Sequence, residues 1–288
     1  SSDVCSSDLF YLPDVLAIGQ IYVKAGMVDG GGLSKRRVLA YGGYPDEPYK
    51  NIHDGDYFQK SVVRASGVVE DFEKGVAAAK FTPLDGKTLM DPKFVSEEIE
   101  HSWYEYPSNT KSLNPSEGIT KPNYTGPKTG TKEHWEYLDE AKKYSWIKSP
   151  TFQGKACEVG PLAKYIVVYT KVKQGILKNP TWAENMMVRQ IDTVSSVLGV
   201  PAHVWMCSTI GRTACRALDA QVAANMSRYF FNKLVTNIKN GDTSVANMKN
   251  FDPNTWPKEA KGVGILDAPR GALGHWCVIK DGKIANYQ

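Results

Sequence analysis

The chain has no Cys-x-x-Cys pair. Its five cysteines (Cys5, Cys157, Cys207, Cys215 and Cys277) are scattered, as are its five histidines (His53, His101, His134, His203 and His275). Spacing alone therefore assembles no metal site, and isolated cysteines read first as buried core residues. Glu97 and His101 stand at an i, i+4 spacing and would share a face on a helix, where such a pair is usually a surface contact. Long apolar runs are also missing. The densest stretch, Tyr165-Ile166-Val167-Val168-Tyr169, is far shorter than the roughly 20 residues that cross a bilayer. Charge of one sign is scarce too: a formal net charge of +4 over 288 residues, with no basic block, argues against nucleic acid as the main partner. Finally, there is no phosphate loop. Gly86-Lys87-Thr88 looks like the end of one, but Phe81 stands where the first glycine of that motif is required. Gly30-Gly31-Gly32 is a featureless, flexible connection.

What remains reads as a globular chain. The hydrophobic fraction is 42% and the charged fraction 23%, and the length suffices to bury a sizeable core in one large domain or two ordinary ones. Residues 1–9 repeat Ser-Ser-Asp, share no pattern with the rest of the chain and lack the charged start and apolar centre of a signal peptide. They read as a cloning or sequence-assembly artefact. From Phe10 onward the chain reads as beginning in mid-flow. Pro13 suits a first helical turn, and Val15, Ile18, Tyr22 and Ala25 recur at helical spacing, with Gly26 as the stop. Arg37 to Tyr44 and Gln59 to Glu70 carry the β-branched and aromatic content of strands, and Phe81 to Met90 reads as a hairpin around Asp85-Gly86.

Residues 100–155 are rich in Pro, Gly, Tyr and Trp, including Trp103-Tyr104-Glu105-Tyr106 and Tyr144-Ser145-Trp146. Long loops of this kind either bind something or are pinned to a scaffold by their aromatics, and both readings stand. In Glu158-Val159-Gly160-Pro161-Leu162-Ala163, Pro161 suits a first helical turn, and Glu158 just before it suits the positive helix end. Thr181 and Glu184 form a capping box, Met187, Ile191, Val194 and Leu198 mark an apolar stripe, and Gly199 ends it. A second helix is predicted from Ser208 or Thr209 to about Lys239, with Gly241 as its stop. Its length would be roughly 45 Å. Gly211, Ala214, Cys215 and Ala217 would permit close helix packing, while Arg212, Arg216 and Asp219 fall on one face, most simply as an ion-pair row, with desolvated arginines near a cofactor as the alternative. The fold class that emerges is α+β, mainly α: a long-helix bundle core with small peripheral β-sheets and hairpins.

The chain is organised around its last segment, Gly262 to Trp276. Pro269 fixes its own backbone and Gly271 lets the chain turn tightly, leaving the guanidinium of Arg270 on a rigid, narrow turn. Such an Arg suits an anionic ligand or an electrostatic role beside a reacting centre, with a structural ion pair as the plainer alternative. Trp276, Val278 and Ile279 then alternate up to Asp281-Gly282, a two-residue hairpin signal, and the return strand Lys283 to Gln288 gives the impression of a chain that is cut.

The run Ala268-Pro269-Arg270-Gly271-Ala272-Leu273-Gly274-His275-Trp276 closely resembles a signature of the large subunit of nickel–iron hydrogenases of the uptake, membrane-associated type. Glu158 to Ala163, Gly211-Arg212 with Arg216, and the aromatic loops of 100–155 are similar to segments of the same family, in which Arg is usual where this chain has Lys164. The resemblance implies the central part of a single large-subunit domain over 10–288. The two Cys-x-x-Cys pairs that hold the family's nickel–iron centre, with cyanide and carbon monoxide on iron, would then lie outside it. It implies reversible heterolytic cleavage of H₂, electrons leaving to an iron–sulfur small subunit, and a membrane cytochrome b as a further partner. It also implies a structural Mg site just after Gln288, a location on the periplasmic face of the cytoplasmic membrane, and poor solubility of the segment alone. Arg270 would overhang the metal centre, and Pro269 would help close the pocket around an iron cyanide. These two are the candidate catalytic and cofactor-binding residues, with no metal ligand in the chain; His275 and Trp276 are assigned to packing. Two other classes compete. The quinone-reactive subunit of respiratory complex I shares the body without nickel, but typically has Gly-Glu after the basic residue where this chain has Gly271-Ala272. The other is a non-catalytic binding or structural protein.

Overall fold

The fold is that of a computed structural model, which describes residues 11–28, 37–46, 60–84, 89, 91, 93–126, 142–246 and 248–288. The chain divides into two compact units. The first comprises Ser1–Leu84, Cys157–Trp256 and Ile265–Leu273; the second comprises Asp85–Ala156, Pro257–Gly264 and Gly274–Gln288.

The first unit is built from helix α1 (Leu12–Lys24), strands β1 (Arg37–Pro45), β2 (Ser61–Glu70) and β3 (Lys80–Thr82), and helices α2 (Pro161–Lys173), α3 (Trp182–Leu198), α4 (Ala202–Trp205) and α5 (Thr209–Lys239). The strands form an antiparallel sheet in the order β1-β2-β3. Helix α2 packs on β1 and β2 and also against α3 and α5. Eleven consecutive residues of α2, Pro161 to Lys171, are buried, which explains why its apolar run shows no amphipathic period: the helix is covered on every side. The predicted start and stop signals hold for α3. Thr181 Oγ1 accepts from Glu184 N at 3.2 Å, Glu184 Oε2 accepts from Thr181 N at 2.8 Å, and Gly199 forms the left-handed cap. Met187, Ile191, Val194 and Leu198 are all buried. Ser208 caps α5 through Gly211 N, and Gly211, Ala214, Cys215 and Ala217 are buried on it as their size predicts.

Several expectations need correction. The architecture is mixed α and β, and its principal sheet is not peripheral: β1 and β2 are buried along nearly their whole length. Strands covered on both faces read as continuous apolar runs, so alternation gave no measure of how central they are. On α1 the covered face is Leu12, Val15, Leu16, Gly19 and Val23, whereas Ile18 is exposed. Arg212, Arg216 and Asp219 make no row among themselves. Arg212 pairs with Glu158, Asp219 with Lys164, and Arg216 is exposed. Strand β3 pairs back onto β2, and the turn expected at Asp85-Gly86 lies outside the described residues, as do residues 1–9 and Gly30-Gly31-Gly32.

In the second unit, β4 (Val95–Glu98), β6 (Ser112–Leu113) and β8 (Ser149–Phe152) form a sheet in the order β6-β4-β8, and β5 (Tyr104–Glu105) pairs with β7 (Lys121–Pro122). Glu97 is therefore on a strand, where it pairs with Lys148 at 2.7 Å and not with His101. The irregular loops are pinned by aromatic contacts, with Trp103 edge-on to Tyr124 and Trp146 at centroid distances of 4.9 and 5.3 Å.

The last sheet has the order β11-β10-β9, from β9 (Glu259–Ala268), β10 (Gly271–Lys280) and β11 (Lys283–Tyr287). Asp281 and Gly282 both take positive φ, 50° and 69°, as the predicted two-residue turn demands. Trp276 is buried and donates from Nε1 to Leu89 O at 3.2 Å, while His275 is exposed and meets Tyr287 Oη through Nδ1. Trp276 is thus core, while the packing of His275 is a ring contact with Tyr287 at a centroid distance of 5.6 Å on the surface. Among the described residues no helix is long and apolar enough to cross a membrane.

Candidate functional site

The site lies within the first unit, at the tip that joins β9 to β10. Only Pro269 and Arg270 separate the two strands, so the predicted narrow turn is a two-residue connection. Both residues are exposed. Arg270 makes no ion pair among the described residues.

Two backbone devices fix the tip. The first is a close approach to the loop before α2. Gly271 has φ 140°, and a Cβ there would lie 2.5 Å from Val159 Cγ2 and 2.8 Å from Gly160 N; a Cβ on Gly160, φ 118°, would meet Arg270 O at 3.3 Å. Two segments more than a hundred residues apart in sequence thus touch main chain to main chain, which only glycine permits. The second device is Asp267. Its carboxylate accepts from Tyr41 N at 3.1 Å and from Gly42 N at 2.8 Å. These N–H groups converge because β1 bulges there: the register against β2 shifts between Tyr41 and Gly43, and Gly42 takes φ 85°.

The loop before α2 is itself anchored. Glu158 N donates to Arg37 O and Leu39 N donates to Glu158 O, both at 3.0 Å, so Glu158 forms a parallel bridge with β1. Its carboxylate takes a bidentate pair from Arg212, at 2.6 Å from Nε and 3.0 Å from Nη2, which holds the guanidinium of Arg212 charged above its ordinary range. The expected service of Glu158 to the helix end is thus replaced by a tie to α5.

Behind the tip, Lys164 is buried and pairs with Asp219 at 2.5 Å, with its ammonium 5.8 Å from the centre of the Tyr44 ring. Burial pushes the Asp267 carboxyl up to about 6, opposed by the two backbone donors and by Lys164. Burial, then Asp219, pushes Tyr44 up to about 12. The carboxylate thus feels a strong desolvation cost that its hydrogen bonds only partly offset.

Asp267, Gly42 and the Gly160–Gly271 contact are the site features that motif reading missed. The signal for the bulge was present, because Gly42-Gly43 interrupts an otherwise strand-like run. Nothing local marks Asp267, whose partners lie more than two hundred residues away.

The residues described do not form a metal ligand set. No group of three or more His, Cys, Asp or Glu among them could hold a metal ion. Cys207 and Cys215 are buried, and burial pushes the Cys157 and Cys215 thiols upward, away from the thiolate a soft metal needs.

The fold, buried helices on a buried sheet, thus presents on a fixed tip a guanidinium with no ion-pair partner among the described residues, and those residues supply no metal ligand set. The chain belongs to the nickel-dependent hydrogenase family, whose model matches residues 7–288. It is 45% identical over 284 residues to the uptake hydrogenase large subunit of Rhizobium leguminosarum bv. viciae, covering 98% of this chain and 43% of that protein. The hydrogenase-1 large chain of Escherichia coli K12 is 41% identical over 280 residues, covering 96% of this chain and 42% of its own length. Among solved structures, a nickel–iron–selenium hydrogenase of Desulfomicrobium baculatum is similar over 99% of this chain and 46% of its own, with a TM-score of 0.61 and 25% identity. The chain thus spans less than half the length of the curated relatives it matches.

Proposed function

We propose that the chain is part of the catalytic large subunit of a nickel–iron hydrogenase of the uptake type, which cleaves H₂ reversibly into protons and electrons. The observation that carries this reading is the Arg270 tip: a charged, unpaired guanidinium held on a backbone locked by Gly160, Gly271 and Asp267. Family membership and the 45% identity to an uptake hydrogenase large subunit support it, against both the complex I-like and the non-catalytic readings.

The family's centre, nickel and iron with cyanide and carbon monoxide on iron, would supply the heterolytic cleavage of H₂ when bound. The described residues do not ligate it. Their part is electrostatic. A guanidinium stays charged and presents fixed donors, so a tip that cannot bend aims it at charge developing in the reaction without reorganisation. Pro269, exposed beside it, limits the turn to one backbone course and closes the pocket wall. Residues 10–288 form the central part of one large-subunit domain in this reading, and the family match extends it to residue 7. The long-helix core belongs to the same reading: α3 and α5 pack against α2 as a helical layer over the sheet.

The partners follow from the same likeness: an iron–sulfur small subunit that takes the electrons, and a membrane cytochrome b beyond it. So do a structural Mg and a position on the periplasmic face of the cytoplasmic membrane, reached through the small subunit. The test is Arg270→Lys in the intact enzyme. Lysine keeps the charge and loses the planar fork, so turnover is expected to fall by roughly a hundredfold or more at full nickel content. Near-normal H₂ oxidation by that variant, with nickel fully loaded, would remove Arg270 from the reaction.

A further inference from the structure

We propose that Asp267 is a positioning residue for Arg270, acting as a carboxylate clip that holds the β9–β10 tip against the bulge of β1. The inference deepens the reading of the Arg270 tip and rests on it. Between the clip at Asp267 and the close contact at Gly271 lie only Ala268, Pro269 and Arg270. Pro269 cannot rotate about φ. The backbone at Arg270 is therefore held from both sides. This matters because the side chain is not held at its own end: Arg270 has no ion-pair partner among the described residues. Where the guanidinium goes must be set by the main chain beneath it, and the main chain is set by Asp267 and by the glycine contact.

The clip is specific for a carboxylate. Tyr41 N and Gly42 N are consecutive donors that converge at 3.1 and 2.8 Å on the two different oxygens of Asp267. An asparagine would supply one acceptor and turn an NH₂ group toward the other N–H, leaving two donors face to face. A glutamate would keep both acceptors and displace the strand by the length of a methylene. The bulge that creates the donor pair needs Gly42, where a Cβ would lie 2.9 Å from Val63 O. The clip is thus built by both partners, with β1 distorted to offer two amides and β9 placing one carboxylate on them.

The experiment uses the intact, nickel-loaded enzyme with Asp267→Asn, Asp267→Glu, Arg270→Lys and the double variant Asp267→Asn/Arg270→Lys. Readouts are H₂ oxidation turnover, nickel content, and amide exchange in the peptide carrying Tyr41 and Gly42. Asp267→Asn is expected to lose roughly tenfold or more in turnover at unchanged nickel content, with faster exchange at Tyr41 and Gly42. The double variant is expected to be no slower than Arg270→Lys alone, because a residue that acts through another adds nothing once that other is gone. Losses that multiply would mean an independent role and overturn the proposal, as would near-normal turnover of Asp267→Asn. If the Asn variant does not load nickel, Asp267→Glu decides: loaded enzyme with depressed turnover supports the clip, and normal turnover overturns it. Near-normal turnover of Arg270→Lys would instead defeat the underlying reading of the tip, whatever Asp267 does.

Discussion

At the scale of single residues, Gly271 and Asp267 make opposite kinds of demand on the chain. Gly271 is required for what it lacks. Any side chain there meets Val159 and the main chain of Gly160, and its φ of 140° is strained for every L-residue. Gly271→Ala is therefore expected to cost about 2–4 kcal/mol, read as a lowered urea midpoint. Asp267 is required for its charge, yet the fold makes that charge expensive. Its carboxyl is pushed up to about 6 from an ordinary 3.8, chiefly by burial. A carboxyl raised in the folded state binds its proton more tightly there than in the unfolded chain. Its contribution to stability is then greatest below about pH 4 and is lost as pH rises through about 6, with an upper bound of about 3 kcal/mol. The stability of the native protein relative to Asp267→Asn should therefore decline from pH 4 to pH 7. A flat difference across that window would show that the carboxyl titrates normally. The Arg-bearing turn was legible because Pro and Gly flank a charged residue, a local signal. Asp267 was not, because its role comes from partners on β1 that only the tertiary fold supplies.

Elements repeat the same division between local and distant causes. Helices α3 and α5 could be read to within a residue or so, since capping residues and small-residue patterns act within one turn. Sheet topology could not. Strand β3 pairs with β2, and α1 rotates so that Gly19 and not Ile18 faces inward. These choices depend on what is available to pack against. Glu184 joins both levels. It completes the capping box of α3 and, fully buried, also accepts from Arg64 N at 2.7 Å, Nε at 3.0 Å and Nη2 at 2.5 Å. The two functions predict different costs. Thr181→Ala removes the cap together with the hydrogen bond from Thr181 Oγ1 to Val62 O, and should lower stability by about 1–2 kcal/mol. Glu184→Gln should lower it by about 3 kcal/mol, because the partly buried guanidinium of Arg64 loses the counter-charge of a fully buried carboxylate. Denaturation midpoints of the two variants would separate the roles, and equal losses would mean that the Arg64 pair contributes nothing beyond the cap.

For the molecule as a whole, the distribution of apolar surface carries an argument of its own. The first half of α5 is core, through Met226. Its last turns expose Phe231, Leu234 and Ile238 at 63%, 55% and 52%, and Val245, Met248 and Phe251 beyond them are exposed as well. Spacings of three and four place the helical members on one side of α5, so they form a stripe and not scattered single residues. The relatives are more than twice as long as the segment they share with this chain. A stripe of this kind on the chain by itself is expected to drive self-association in water. Light scattering of the isolated chain should give a mass well above 31.9 kDa that rises with concentration. Phe231→Glu with Leu234→Lys should bring the mass toward that of one copy while leaving the helical signal in circular dichroism unchanged, since both side chains already face outward. A chain that stays at the mass of one copy without these substitutions would show that the stripe is too weak to hold two surfaces together. Association that persists with them would place the sticky surface elsewhere, with the exposed Trp146 and Tyr124 of the second unit next to be substituted.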